Sequence, residues 1–485
     1  MFLTDSIIRL DAIAPEIVLA LVAIVILMLE VFAHNRGKHL FCYVALGGVI
    51  LAAAFTLLLV GKEFTTFSGH YQIDSFGLFF KIVILIGTGL TLLVSNQYLI
   101  DRGLNYGEYY ALILFSVVGQ FIIISGNDLM TIFLGIETMS LSLYVLTGFA
   151  RGSNSSIEAS AKYFVLGALA GATILYGIAL IFGATATTKL NLINDALTTG
   201  AVSYNLLIGG FILLLAGLAL KVSVVPFHMW VPDVYQGAPT PVTAFMASTA
   251  KVAGFALLIR ILMEAFYPLW DHWSLILSIL AVLTMTVGNI IALVQDNVKR
   301  MLAYSSISHV GYILIGIVVA TNSSIGATAF YLLVYTFMTI GAFAILAIIA
   351  DKDEQNLSFE SLRGLGAKRP FLAATFAIMI FSLAGIPPTA GFVGKFYIFM
   401  AAVENDFLWL AIVGALNSVL SVFYYLKAII FTYFKEYDTK TTLFEQSALT
   451  PIMTIALVVM IYGALVIGII PADYIGFAKA FTIIK

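Results

Sequence analysis

Long apolar runs separated by short polar stretches make up most of this chain. An α-helix needs about 20 apolar residues to cross the hydrocarbon core of a bilayer. The runs have about this length and lie, in chain order, near residues 14–33, 40–60, 75–98, 109–125, 129–149, 159–184, 204–225, 241–263, 273–295, 301–320, 325–350, 371–401, 407–434 and 450–472. They predict an all-α polytopic membrane protein with about 14 transmembrane helices. A soluble protein is a poor alternative, because 61% of the residues are hydrophobic and only 10% are charged.

Two of these runs combine a lysine with prolines. Lys221 stands five residues before Pro226, and Lys395 follows Pro387 and Pro388. Proline cannot donate a backbone hydrogen bond and clashes with the preceding helical turn, so each helix should break or kink there. A broken helix inside a membrane turns its backbone polar groups toward protein or a cavity. The seventh and twelfth helices are therefore predicted to be discontinuous, with these three prolines as hinges.

Ionisable side chains inside the apolar runs are the strongest functional signal. A charge at bilayer depth costs at least about 2.5 kcal/mol, so such a side chain must face protein or water. Burial destabilises an ammonium relative to the neutral amine, which suits a buried lysine to accept and release protons. The candidate proton-relay residues are Glu137, Lys221, Lys251 and Lys395, with His309 and Lys427 as supporting members.

Glu137 is the clearest buried acid, and a lysine is its obvious partner. We expect an ion pair between Glu137 and Lys221, either as a step of the relay or as a static bridge between two helices. His309 shares one predicted helix face with Ser305, Ser308 and Tyr312. A histidine on such a face can relay protons, and a role in helix packing is an equally open interpretation.

The spacing of these residues predicts an internal repeat. The first triplet is Glu137, Lys221 and Lys251, and the second is His309, Lys395 and Lys427. The separations are 84 and 30 residues in the first triplet and 86 and 32 in the second, so the copies are offset by 172 to 176 residues. This offset spans five helices, and an odd number inverts the second copy. The predicted units are 1–107 (helices 1–3), 108–265 (first repeat, helices 4–8), 272–436 (inverted repeat, helices 9–13) and 449–485 (helix 14).

Basic residues are distributed unevenly between the two sides of the predicted membrane. Thirteen lysines and arginines lie in loops on one side, and five lie on the side of both termini. The positive-inside rule then places both termini in the periplasm of a bacterial inner (plasma) membrane. The single cysteine, Cys42, excludes a disulfide framework and any multi-cysteine iron–sulfur or zinc site. No cofactor is expected in the chain.

Five long motifs are spread over nearly the whole sequence: LGIETMSLSLYVL, IEASAKYFVLGA, LKVSVVPFHMWVPDVYQGAPTPVTAFMASTAKVAGF, NVKRMLAYSSISHVGY and LAGIPPTAGFVGKFYIF. Together they resemble the antiporter-like proton-pumping subunits of respiratory complex I, NADH-quinone oxidoreductase. The resemblance implies fourteen helices with two inverted five-helix repeats, and proton translocation driven by quinone reduction elsewhere in the complex. It also implies that the essential glutamate is Glu137 and that the functional lysines are Lys221, Lys251 and Lys395.

Four further residues are supporting candidates. The resemblance places Lys162, with Glu158 four residues before it, near the cytoplasmic entrance of the pathway. An ordinary surface ion pair between them is an equally open interpretation. His228 and Asp233 lie in the proline-rich interruption between the first two lysines.

The resemblance also bears on partners and on alternatives. It implies contact with other membrane-arm subunits of complex I and with lipid, but not with nucleic acid, and it assigns quinone, NADH, FMN and iron–sulfur clusters to other subunits. One sibling subunit of the family usually has glutamate where this chain has Lys395. The largest sibling continues into a lateral helix, whereas this sequence ends at Lys485. Both differences favour a family member other than these two siblings. A subunit of a multisubunit cation/proton antiporter shares the fold, but Glu137 alone is a poor sodium site.

Overall fold

The computed structural model of the protein describes residues 9–32, 40–200, 202–351, 354, 357–436 and 449–480. Its helices are α1 (Ala14–Phe32), α2 (Leu40–Leu57), α3 (Ser75–Arg102), α4 (Gly107–Ser125), α5 (Leu129–Thr147), α6 (Asn154–Thr185), α7 (Leu190–Thr199), α8 (Tyr204–Val222), α9 (Trp230–Gly237), α10 (Thr240–Phe245), α11 (Lys251–Arg260), α12 (Trp270–Leu293), α13 (Val298–Val319), α14 (Asn322–Ile349), α15 (Leu365–Lys368), α16 (Pro370–Ala384), α17 (Ala390–Glu404), α18 (Leu408–Tyr433), α19 (Pro451–Ile469) and α20 (Ala472–Ala480). The prediction of a helical polytopic membrane protein is confirmed.

Thirteen helical segments in the described part of the chain are long and apolar enough to cross a membrane. The predicted run 371–401 is divided between α16 and α17, each of 15 residues. Three segments, Thr240–Ala265, α13 and α14, form the centre of the molecule and bury nearly all of their residues. The outer helices, including α2, α12 and α18, expose many large apolar side chains, as a lipid-facing surface requires.

A short β-hairpin interrupts the helical architecture between α2 and α3. Strand β1 (Phe64–Thr66) pairs antiparallel with β2 (Tyr71–Ile73). The all-α prediction missed this element, because three-residue strands between two long apolar runs carry no usable periodicity. The hairpin packs against the start of α1 and leads directly into α3, where the Asp74 carboxylate accepts a hydrogen bond from the Gly77 amide and caps the helix.

The first break lies where the sequence places a proline. Helix α8 ends at Val222, and Ser223 adopts a left-handed backbone conformation with φ of 72°. Pro226 has no amide hydrogen with which to continue the helix. The amide of Val225 donates to the Thr284 hydroxyl of α12 at 3.0 Å, so the irregular backbone is satisfied within the protein.

The second break separates α16 from α17. Gly385 ends α16 with φ of 81°, and Pro387 and Pro388 follow. Helix α17 then starts so close to α16 that a Cβ atom at Gly391 would lie 1.8 Å from the Ser382 carbonyl oxygen. Only glycine fits at this crossing, and its amide donates to the Ser382 hydroxyl at 3.1 Å.

The two breaks do not follow the offset predicted from the ionisable residues. Ser223 and Gly385, which end α8 and α16 in the same left-handed conformation, are 162 positions apart. Lys221 therefore precedes the first break, whereas Lys395 follows the second. The predicted equivalence of these two lysines is wrong, while the inverted repeat and its unit boundaries stay predictions.

The central segment Thr240–Ala265 is a single continuous helix with two irregular stretches. Met246–Ala250 and Ile261–Ala265 are π-helical, and the α-helical stretch α11 lies between them. Lys251 is the first residue of α11 and Arg260 is the last. π-Helical turns are frequent at functional sites, and here they flank two buried cations.

Candidate functional site

Lys221 lies in the last turn of α8, against α5. Its Nζ donates to the Ser140 hydroxyl at 2.9 Å and to the Tyr144 hydroxyl at 3.3 Å. No ion pair joins Lys221 to Glu137 among the described residues, so the expected direct pair is not formed. The lysine is level with the turn of α5 that follows Glu137 and is linked to this helix through hydroxyl groups.

The carboxylate of Glu137 points toward α6. A Cβ atom at Gly171 would lie 2.7 Å from Glu137 Oε1, so a glycine at this position leaves room for the carboxylate. Oε1 is buried and has no hydrogen-bond partner. A buried acceptor without a partner is costly, so this oxygen is open to a hydrogen-bond donor such as water.

A chain of packed aromatic rings connects Lys221 with Lys251. Tyr144, which contacts Lys221, meets the Tyr163 ring edge-on at 4.8 Å between centroids. Tyr163 stacks on Trp230 at 4.7 Å, and Trp230 meets Tyr235 at 6.2 Å. The Tyr235 ring in turn lies 5.8 Å from the Nζ of Lys251. The rings exclude lipid from this space, and the tyrosine hydroxyls provide donors and acceptors along it.

Lys251 is buried, and its ammonium contacts α13. The Nζ atom donates to the backbone carbonyl of Ser306 at 3.1 Å and to the Ser306 hydroxyl. Within the described residues, no carboxylate forms an ion pair with this lysine. An ammonium held only by neutral oxygen atoms is easier to neutralise than one held by a carboxylate, as a proton relay requires.

His309 lies at the centre of the molecule between two tyrosines. Its Nδ1 is 2.5 Å from the Tyr331 hydroxyl, and its Nε2 is 3.0 Å from the Tyr425 hydroxyl. The Tyr425 hydroxyl also contacts the Ser305 hydroxyl. In a neutral imidazole one nitrogen donates and the other accepts, so this arrangement can pass a proton from one tyrosine to the other by exchanging tautomers.

Lys395 lies on α17, and its ammonium reaches back to the end of α16. The Nζ atom donates to the carbonyl groups of Leu383 and Ala384 and to the Ser418 hydroxyl, each at 3.1 Å. It also lies 4.8 Å above the Tyr312 ring. A cation is favourable at the carbonyl end of a helix, so Lys395 stabilises the second break.

One face of α13 connects the two halves of this arrangement. Ser306, His309 and Tyr312 follow each other at three-residue intervals, so they lie on neighbouring turns of one helix face. Ser306 contacts Lys251, and Tyr312 contacts Lys395. We refer to the series Glu137, Lys221, Lys251, His309 and Lys395 as the proton row.

A polar cleft of about 920 Å³ opens between the start of α6, α9 and the start of α13. Asp233 lies on its wall and accepts hydrogen bonds from Lys162 and Arg300, each at 2.7 Å. Lys162 also pairs with Glu158 at 2.8 Å. The structure thus joins three of the supporting candidates and adds Arg300, which the sequence analysis did not single out.

Two supporting candidates lie away from the row. Lys427 lies near the end of α18, where its Nζ donates to the Gln295 carbonyl at 3.1 Å and is 3.5 Å from the exposed carboxylate of Asp296. This position corrects the prediction that Lys427 extends the row. His228 lies in the turn between α8 and α9, and its Nδ1 is buried without a hydrogen-bond partner.

The hydroxyl groups of the row were largely missed by sequence reasoning. Ser306 contacts Lys251, although the predicted polar face of α13 contained Ser305 and Ser308 instead. Tyr331 and Tyr425 come from α14 and α18, far from His309 in the sequence. Tyrosines inside apolar runs are a weak signal for such contacts, because a buried phenol usually requires a hydrogen-bond partner.

Comparison with known protein sequences gives similar proteins along nearly the whole chain. A family model described as NADH:quinone oxidoreductase/Mrp antiporter, TM matches residues 126–421. The chain is 46% identical to NADH-quinone oxidoreductase subunit N of Trichlorobacter lovleyi, over 97% of this chain and 96% of that protein. It is 42% identical to the subunit N of Chloroflexus aggregans, again over 97% and 96%.

Solved structures show the same similarity. A chain of respiratory complex I from Thermus thermophilus, solved with bound aureothin, has a TM-score of 0.81 at 33% identity, over 96% of this chain and 99% of that chain. A chain of the Mrp complex from Dietzia sp. has a TM-score of 0.82 at 21% identity, over 97% of both chains. The second comparison shows a shared fold.

Proposed function

This chain belongs to the subunit N family of NADH-quinone oxidoreductase, and we propose that it moves protons along the row from Glu137 to Lys395. The energy comes from quinone reduction elsewhere in the complex. We expect NADH, FMN, the iron–sulfur clusters and the quinone to bind to other subunits. The chain is a multi-pass membrane subunit that contacts further subunits of the membrane arm.

One observation carries this proposal: a single face of α13 connects Lys251 with Lys395. Ser306 holds the first lysine, Tyr312 lies against the second, and His309 stands between them with a tyrosine at each ring nitrogen. Lysine, histidine and tyrosine side chains bind and release protons but offer no set of hard oxygen ligands for sodium. The row therefore favours proton transfer over transport of a metal cation.

The direction of transfer follows from the position of the cleft. Glu158 and Lys162 at the start of α6, Asp233 on α9 and Arg300 at the start of α13 line it. The sequence count of basic residues, thirteen against five, supports a cytoplasmic location for this side, with both termini in the periplasm of a bacterial inner membrane. A proton from the cytoplasm would enter beside Lys162 and reach the free oxygen of Glu137.

Removing the carboxylate in Glu137→Gln or the ammonium in Lys221→Met tests this function. Proton-transfer groups contribute roughly 10²-fold or more to the reactions that they serve, so proton pumping should fall by about this factor. The measurement is NADH-driven acidification of inverted membrane vesicles that contain the assembled complex. NADH oxidation is recorded in the same vesicles.

Two exposed residues outside the row provide matched controls. Glu108→Gln removes a carboxylate at the start of α4, and Lys62→Met removes an ammonium before the β-hairpin. Both should pump at the unmodified rate. Unchanged pumping by an assembled complex that carries Glu137→Gln or Lys221→Met would refute the proposed function.

A further inference from the structure

A second group of buried charges lies outside the proton row, where α1, the β-hairpin and α3 meet. Lys81 is fully buried, and its Nζ donates to Glu16 Oε1 and to the Tyr71 hydroxyl, each at 2.8 Å. The Tyr71 hydroxyl also donates to Glu16 Oε1. We call Glu16, Tyr71 and Lys81 the hairpin triad.

The two oxygen atoms of Glu16 have different surroundings. Oε1 accepts from both Tyr71 and Lys81, whereas Oε2 is buried without a hydrogen-bond partner. Glu16 as a whole is only 6% exposed. Leaving such an acceptor unpaired is unfavourable, and a proton or a water molecule on Oε2 removes this cost.

Tyr71 keeps its proton and acts as a fixed donor. Burial, reinforced by the neighbouring Glu16 carboxylate, raises the pKa of Tyr71 well above its usual range. Lys81 supplies the positive charge. The only atom of the triad that is free to take up a proton is therefore Glu16 Oε2.

The triad adjoins a second charged group that reaches the surface. Arg260 is fully buried and pairs with Asp74 at 2.9 Å and with Glu264 at 2.7 Å. Gln72, next to Tyr71 on β2, donates to both of these carboxylates. Asp74 and Glu264 are 23% and 20% exposed, so they connect the buried groups with solvent.

The charges of the two groups do not balance. Three carboxylates face two cations, so one negative charge is in excess when all five groups are ionised. Among the other charged groups at the hairpin, Arg9 lies over the Phe64 ring and pairs with Asp11. His70 with Asp128, and Lys189 with the Ser68 carbonyl, lie at the turn between β1 and β2. An excess carboxylate in a largely buried cluster favours the uptake of one proton.

Buried polar side chains also extend from the triad toward the centre of the membrane. The Phe121 ring of α4 lies 5.1 Å from Lys81 Nζ, and the adjacent Gln120 has a buried Oε1 with no hydrogen-bond partner. Gln120 Nε2 donates to the Ser116 hydroxyl. On α3, Thr88 and Thr91 are fully buried. These groups give the α3–α4 contact a polar lining on the inner side of the triad.

We propose that the hairpin triad is a second proton-exchange site of this subunit, at the membrane face on which the β-hairpin lies, with Glu16 as the group that exchanges the proton. A proton that arrives from the interior adds to Glu16 Oε2 and gives a neutral carboxyl group. The same proton then leaves toward solvent past Asp74 and Glu264, and the carboxylate returns. Lys81 stays an ammonium and Tyr71 a phenol throughout. This inference rests on the proposed function, because it assumes that the subunit moves protons across the membrane.

Glu16→Gln tests the inference, because it keeps the size and polarity of the side chain but cannot take up a proton. We expect NADH-driven acidification of inverted vesicles to fall at least tenfold with the complex assembled. Glu63→Gln, an exposed carboxylate just before β1, is the matched control and should pump normally. Lys221→Met is measured in the same membranes. Loss of pumping in Lys221→Met but not in Glu16→Gln would overturn the hairpin site and leave the proposed function intact, whereas normal pumping in both would overturn both.

Infrared difference spectra of the purified complex, recorded on addition of NADH, give a readout that a purely structural role would not change. A carboxyl C=O band that forms during turnover should be absent in Glu16→Gln and shifted in Glu16→Asp, which keeps the charge needed for assembly. If the complex does not assemble with Glu16→Gln, the carboxyl band of Glu16→Asp alone tests the inference. An unshifted carboxyl band in Glu16→Asp would overturn the inference.

Discussion

Replacing Arg260 with methionine is expected to remove most of the folded subunit from the membrane. Arg260 is fully buried and holds the carboxylates of Asp74 and Glu264 with opposite ends of its guanidinium group. Removing one partner of a buried ion pair leaves an uncompensated charge and typically costs about 3–5 kcal/mol. Such a loss is a large part of the stability of a folded domain, which is about 5–15 kcal/mol. The amount of subunit in washed membranes and the thermal unfolding of the purified complex measure the effect.

Two further variants serve as controls for Arg260→Met. Arg9→Met removes an arginine from a pair with Asp11 in which both side chains are at least 40% exposed, so no measurable change is expected. Arg260→Lys keeps the charge but loses the two-ended geometry, so its stability should fall between the unmodified protein and Arg260→Met. If Arg260→Met were as stable as the unmodified protein, the carboxylates of Asp74 and Glu264 would not need Arg260 to stay buried, and this prediction would be wrong.

The second large effect is expected at Lys395. Lys395→Arg keeps a cation and several donors for the carbonyl groups that end α16, but arginine does not release its proton in proteins. The complex should therefore assemble, while proton pumping falls by roughly 10²-fold. Lys395→Met should lose pumping to the same extent and also lose stability, because the Leu383 and Ala384 carbonyl groups lose their donor.

Lys427→Arg is the matched control for this experiment. Lys427 also donates to a backbone carbonyl group, that of Gln295, but it lies near the surface beside Asp296. Its arginine variant should pump at the unmodified rate. Normal pumping by Lys395→Arg would show that Lys395 holds the break without exchanging its proton.

Much of the fold follows from the sequence because the membrane restricts the choice of structure. A run of about 20 apolar residues must be helical in a bilayer, so the spans and their order could be predicted. The breaks after Lys221 and before Lys395 were visible as prolines. The β-hairpin was not, since it depends on contacts such as that between Tyr71 and Glu16, which are 55 residues apart.

The charged residues of the candidate site could be selected from the sequence, but their contacts could not. The cost of burying charge identified Glu137, Lys221, Lys251 and Lys395 one by one. Whether Lys221 meets Glu137 or the hydroxyls of the next turn depends on how α8 is placed against α5, which no spacing encodes. The prediction that Lys427 follows Lys395 in the row rested on the similar spacings of the two triplets. It failed because such spacings ignore the lengths of the segments around each break.

The two π-helical stretches that flank α11 give the central helix a mechanical property. A π-helical hydrogen bond encloses one residue more than an α-helical one, so each stretch interrupts the regular hydrogen-bond pattern of the helix. The ten residues from Lys251 to Arg260 form a regular α-helical stretch between these two interruptions. Lys251 in the proton row and Arg260 beside the hairpin are therefore the first and last residues of one α-helical stretch, so any rotation of α11 about its axis would move both buried cations together.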